Sequence, residues 1–153
     1  MKTVASAIAA AVLVALAGVA SAQSLKPEEM IKFRKAGYSF MSWNMGKIKA
    51  NLDGEFNKDQ VIAAANVVAA IANTGMGSLF APGTDKEVGG EKTRVKPEFF
   101  EQPEKVKELA MNFIKEANEL AKVAATGDAA AVKAQFGKTG GTCKACHDDF
   151  RRN

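Results

Sequence analysis

Residues 27–52 read PEEMIKFRKAGYSFMSWNMGKIKANL. Ile31, Arg34, Tyr38, Met41, Met45, Ile48 and Leu52 follow one another at alternating intervals of three and four, the inward stripe of a bundle helix. Pro27 suits the first helical position, and Glu28 and Glu29 sit at the positive end of the helix dipole. Arg34 is the anomaly in the stripe. A guanidinium facing a core needs an anionic partner or must snorkel to the end of the bundle. A second apolar row, Met30, Phe33, Gly37, Phe40 and Trp43, runs along a neighbouring face. One buried stripe is enough for a bundle helix, so the second row predicts a partner subunit.

Downstream, the same periodicity repeats. Asn57 is an N-cap for a helix reaching Asn73, with Val61, Ala64, Ala65, Val68, Ile71 and Ala72 inward and many alanines that allow close approach. Gly75, Gly77, Pro82, Gly83, Gly89 and Gly90 then punctuate a long crossing that ends near Pro97. Connections of this length often carry function, and this one either wraps a bound group or simply joins two helices. A third helix begins at Pro103 and Glu104, carries Val106, Leu109, Ala110, Phe113, Ile114, Ala117, Leu120, Ala121 and Ala124, and stops at Gly127. Asp128 caps the fourth. Its stripe is Val132, Phe136, Thr139, Cys143, Cys146 and Phe150, with His147 beside it. The chain therefore reads as all-α, and 153 residues suit one domain.

The fourth helix contains Cys143-Lys144-Ala145-Cys146-His147, the C-x-x-C-H attachment signature of c-type haem. Positions i, i+3 and i+4 share one helix face, so two thiols and an imidazole can address one flat cofactor from one side. These are the only cysteines and the only histidine in the chain. Three ligands are too few for a structural zinc site, and a thioredoxin-like pair would need a βαβ setting. A redox dithiol and a structural disulfide remain as alternatives. Gly140 and Gly141, one turn before Cys143, cost about 2 kcal/mol of helix propensity against alanine, and clearance for a porphyrin is the expected return.

At the other end of the chain, Lys2, the apolar run Val4 to Val19 and Ala20-Ser21-Ala22 form a secretory signal with cleavage before Gln23. Residues 1–22 are thus expected to be removed, leaving 23–153 as one domain in an exported compartment. The apolar run is short for a membrane anchor, and no later stretch could span a bilayer. The net charge of +4 is scattered as single Lys and Arg residues. With no basic cluster or aromatic-basic stripe, nucleic acid is not an expected partner.

Several of these features together resemble cytochrome c′. They are the Pro-Glu-Glu start, Arg34 followed four residues later by bulky Tyr38, Pro-Gly-Thr at 82–84, Thr-Arg-Val-Lys-Pro-Glu at 93–98, and Cys-Lys-Ala-Cys-His at 143–147. The tyrosine-bearing type of purple sulfur bacteria is the nearest in pattern. The resemblance implies an antiparallel up-down-up-down four-helix bundle in the periplasm. It implies one haem c bonded to Cys143 and Cys146, with His147 as axial iron ligand and Arg151 on the proximal side. Arg34 would bind propionate, Lys35, Thr93 and Arg94 would border the haem edge, and Tyr38 would close the distal face. The family further implies five-coordinate, high-spin iron, nitric oxide or carbon monoxide as ligands, and homodimers through the first two helices. Met76 and Phe80 stand where other members place aromatic residues, which leaves the distal pocket's volume open at Met76.

Two functions are consistent with these residues. One is a gas-binding haem protein whose distal face is filled by Tyr38 and other groups that do not ligate iron, and which can take part in electron transport with a redox partner the sequence does not name. The other is a six-coordinate electron-transfer cytochrome with His147 and a methionine, Met41 or Met45, as axial ligands, although methionines on such a stripe more often fill core. No second histidine or acid pair accompanies the haem motif, so no enzyme is expected.

Overall fold

The computed structural model describes residues 25–153, and the expected signal with its cleavage point lies outside them. Four long helices, α1 (Pro27–Asp53), α2 (Lys58–Ala72), α4 (Pro103–Thr126) and α5 (Ala129–Phe150), form the bundle; α3 (Glu98–Glu101) is a single turn ahead of α4. The helix signals in the sequence act as expected. The Lys26 N–H donates to Glu29 at 2.8 Å, Asn57 accepts from the Gln60 N–H, and Asp128 accepts from the N–H groups of Ala130 and Ala131. Gly127 ends α4 at φ 78°, a left-handed cap open to glycine.

Short links at 54–57 and 127–128 make α1/α2 and α4/α5 antiparallel pairs. Between the pairs, Lys58 at the start of α2 reaches the Thr126 carbonyl, while Asn73 just past its end donates to Asn118. Moving forward along α2 thus means moving backward along α4, and the topology is up-down-up-down. Both short links lie at one end of the bundle. The long crossing, the start of α1 and the end of α5 lie at the other.

Ile48, Val61, Ala64, Ala65, Leu120, Ala124 and Val132 form a buried cluster towards the linked end, and Met41, Val68, Ala72 and Ala117 form a second one further along. The stripe of α1 differs from its expected register. Asn44 and Asn51 are buried, whereas Met45 and Leu52 are only half-buried and Tyr38 is exposed. Asn51 explains part of the shift. Its amide donates to Lys47 and Gln60 and accepts from the Asn57 N–H at 2.9 Å, which fixes the α1–α2 corner.

The second row of α1 is largely open: Phe33 is 51% exposed, Phe40 51% and Trp43 57%. Phe40 and Trp43 stack at 5.4 Å, and Lys47 lies over the Trp43 ring. Gly37 does not belong with them. A Cβ there would come within 2.8 Å of the Met76 methyl, because the 3₁₀ turn Met76–Leu79 folds back onto α1.

Candidate functional site

α1 and α5 make few contacts with each other, and the candidate residues on both helices lie in the halves nearer the crossing. On the α5 side stand Cys143 and Cys146, both free thiols and half-buried. Burial pushes both thiols up, and at Cys146 the neighbouring Cys143 and Asp149 add to the effect. They are therefore neutral thiols at ordinary pH. His147 is shifted down, first by the shielding of its ring and then by the charge of Arg94, with Asp148 opposing. A neutral imidazole is the form that ligates a metal. Arg151, one turn on, brings a guanidinium nitrogen to 3.3 Å from His147 Nδ1.

On the α1 side stands Tyr38. Although 42% of its surface is open, its phenol is pushed up to about 12, first by burial and then by negative charge at Cys146 and Cys143, with Arg34 opposing. Both thiols are thus near enough to act on the phenol's charge. The Tyr38 ring meets Phe80 edge-on at 6.4 Å, Phe80 stacks on Phe99 at 4.5 Å, and Phe99 meets Phe150 of α5 at 5.7 Å. This row of rings closes the end of the gap.

Arg34 is 2% exposed and its partners are oxygen atoms of the crossing rather than a carboxylate. It donates to Leu79 O at 3.2 Å, Thr84 Oγ1 at 2.7 Å, Thr84 O, and Thr93 Oγ1 at 2.7 Å, with its guanidinium 4.7 Å above the Phe80 ring. Burial lowers its pKa, while Tyr38 and Asp85 oppose the shift. Lys35 sits on the outer rim in an ion pair with Glu91 at 2.9 Å. The crossing is also tied to α5's end: the Lys96 N–H donates to Phe150 O, and the Arg152 N–H donates to Arg94 O. Lys96 Nζ caps the Asp148 and Asp149 carbonyls.

The structure thus brings Arg34 and Thr93 into direct contact, sets Arg94 and Arg151 around His147, and leaves Lys35 on the rim. Of the two glycines before Cys143, Gly141 lines a groove against Leu109 and Glu116 of α4. Only Gly140 remains for clearance on the thiol side. Sequence reasoning met Thr84 only as part of Pro-Gly-Thr and gave it no role, yet it is fully buried. Its signal was present in Ala81-Pro82-Gly83-Thr84: Pro, then Gly at φ 85°, then a Thr84 N–H donating to Ala81 O at 3.1 Å is a type II turn, and it aims the threonine at Arg34.

Among the described residues no three Cys, His, Asp or Glu side chains gather to hold a metal ion. Two thiols and one imidazole on one face of a gap, opposite a phenol and beside a row of aromatic rings, fit a metal that brings its own flat ligand. The residues fit a haem.

A family model described as cytochrome C′ matches residues 29–151. A cytochrome c′ of Allochromatium vinosum is 59% identical over 152 residues, covering 99% of both chains. Among solved structures, cytochrome c′ from Thermochromatium tepidum superposes with a TM-score of 0.83 at 62% identity, covering 85% of this chain and 99% of that one. A second, a cytochrome c′ described as having an unusual ligand-controlled dimer dissociation, gives 0.83 at 63% identity over 84% of this chain and 98% of its own.

Proposed function

The chain belongs to the cytochrome c′ family of electron-transfer and gas-binding haem proteins, and on that premise we propose a periplasmic protein with five-coordinate haem c that binds nitric oxide and carbon monoxide. Cys143 and Cys146 would hold the haem through thioether bonds, and His147 would ligate its iron. When bound, the haem supplies the iron that takes up a gas or an electron.

The observation that carries this reading is the contact at His147 Nδ1. Metal-bound histidines usually donate that N–H to a carbonyl or carboxylate, which strengthens the ligand. Here Nδ1 faces a guanidinium, which can only donate. His147 is thereby a weak donor, suited to high-spin iron. Burial raises the Tyr38 phenol above its usual range, so it is neutral at ordinary pH and offers bulk rather than a ligand. Met41 is 4% exposed within a core cluster and Met45 packs against both clusters, which supports core filling over ligation for both. Arg34, Thr84 and Thr93 hold the crossing over the edge, where Lys35 and Arg94 add positive charge for propionates.

The absorption spectrum of the reduced protein tests the coordination. Broad high-spin bands are expected; sharp low-spin bands, with a methionine charge-transfer band in the ferric form, would give the site to the six-coordinate alternative. The open aromatic row of α1 supports a homodimer through α1 and α2. Sedimentation of the ferrous protein over a dilution series, with and without carbon monoxide, is expected to show dimers that the gas weakens. Identical dissociation constants in both states would remove that linkage.

A further inference from the structure

α5 carries the haem motif on a stretch that apolar packing holds poorly. Its buried residues are Val132, Gln135, Thr139 and Phe150, so between the two apolar ends the buried side chains are both polar. Gly137, Gly140 and Gly141 lie in the same stretch, and a Cβ at any of them would meet no packing partner within 4 Å. A groove of about 370 Å³ runs alongside, lined by Leu109, Asn112 and Glu116 of α4 and by Lys138, Gly141 and Thr142 of α5. Interdigitating side chains are what normally fix the rotation of one helix against another, and here they are sparse. Directed bonds take their place. Gln135 Nε2 donates to Glu116 Oε2 at 2.7 Å and reaches Glu116 O at 3.2 Å. The Thr139 hydroxyl is shared between Glu116 O at 3.1 Å and Gln135 O at 3.0 Å. The Thr142 hydroxyl then donates to Thr139 O at 2.7 Å and also contacts the Cys143 thiol, where it opposes the upward shift that burial causes.

We propose that Gln135 and Thr139, acting through Glu116, are positioning residues that set the rotation of α5 about its axis and thereby seat the haem opposite Tyr38. Thr139 lies one turn before Cys143 on the same face of the helix, so any rotation that breaks its bond to α4 carries both thiols and the imidazole with it. Apolar side chains at 135 and 139 would bury as well but would accept several neighbouring rotations. The polar pair is satisfied in one, which is alignment rather than added stability. The inference rests on the haem reading above and adds to it the means by which one seat is selected.

The test is Gln135→Leu/Thr139→Val in the holoprotein. Shape-matched apolar groups replacing bonded polar ones are close to neutral in stability, so the urea midpoint should stay at the parent value. The haem methyl proton resonances of the ferric protein should nevertheless split from one set into several. Carbon monoxide association should become biphasic, with the faster phase about threefold above the parent rate. Thr139→Ser keeps the hydroxyl and should keep a single set. Leu120→Ala should do the converse, lowering the urea midpoint with the single set intact. Should the double variant not fold, Thr139→Val alone carries the same test, with a smaller second set expected. A single set with the parent rate in the folded variant, or equal splitting in Leu120→Ala, would overturn the proposal. A pyridine haemochrome spectrum of the parent protein reports covalent haem separately. Its failure would sink the haem reading, whereas a normal haemochrome with an unsplit variant would sink the positioning role alone.

Discussion

Where α1 turns into α2 and α4 into α5, links of four and two residues close over Ile48, Val61, Leu120, Ala124 and Val132, all fully buried. At the opposite end, a crossing of some two dozen residues is held by hydrogen bonds from one arginine and by backbone pairing with the end of α5. The linked end is stabilised by apolar area, which is non-directional and tolerates small shifts. The crossing end is stabilised by directed donors around a gap. The difference teaches that the four-helix core can support itself at one end while the other keeps a space for something the chain does not supply.

Three changes test this division, in falling order of expected effect. Cys143→Ser with Cys146→Ser should abolish covalent haem altogether, read as loss of haem from denatured protein on acid-acetone extraction. Haem that stays bonded would refute the attachment. Next, Leu120→Ala should cost about 2–5 kcal/mol in denaturant unfolding and leave the reduced spectrum unchanged. Arg34→Leu should show the reverse emphasis, with faster amide exchange across residues 79–95 and a perturbed spectrum. If Leu120→Ala altered the spectrum as much as Arg34→Leu does, the two ends would not be separable.

The smallest change concerns alkaline pH. Tyr38's pKa is raised from the usual 10 to about 12, so the folded state favours the protonated phenol. Its stabilising effect is fully present below pH 10 and is lost as pH rises through about 12. In the haem-free protein, whose thiols can still ionise, absorbance at 295 nm should therefore show one tyrosine, the only one in the chain, ionising late, and Tyr38→Phe should remove both that step and the matching fall in stability. Ionisation near pH 10 would mean that the ring is not shielded in the gap.

The bundle was legible because helix periodicity, caps and stops are local signals. Pro27, Asn57, Pro103, Gly127 and Asp128 mark the observed boundaries. The haem motif was legible for the same reason, since one helix face carries all of it. Arg34 was recognisable as a buried charge in need of partners, but those partners come from residues 45 to 59 positions away and no local pattern announces them. Gly37 was grouped with the outer aromatic row because spacing alone cannot foresee Met76 folding back onto it. Asn44 and Asn51 were missed because a buried asparagine looks polar in a hydrophobic pattern; Asn51 is explained by the corner it ties, and the Asn44 side-chain oxygen has no partner among the described residues.

Sequence separation also gives the two ends different timing. The α1/α2 and α4/α5 pairs close over links of a few residues, at little entropic cost. Arg34 must close loops of 45 to 59 residues, and Arg152 reaches Asp85 across 67. Contacts so distant along the chain form slowly and gain only after the pairs that present them are in place. We therefore expect the α4/α5 hairpin that carries the thiols to form early and the crossing to close late, which amide exchange during refolding would show as later protection at residues 79–95 than in α5. On that order, the gap would stand accessible after the helices exist and before the pairing of residues 94–96 with 150–152 has closed.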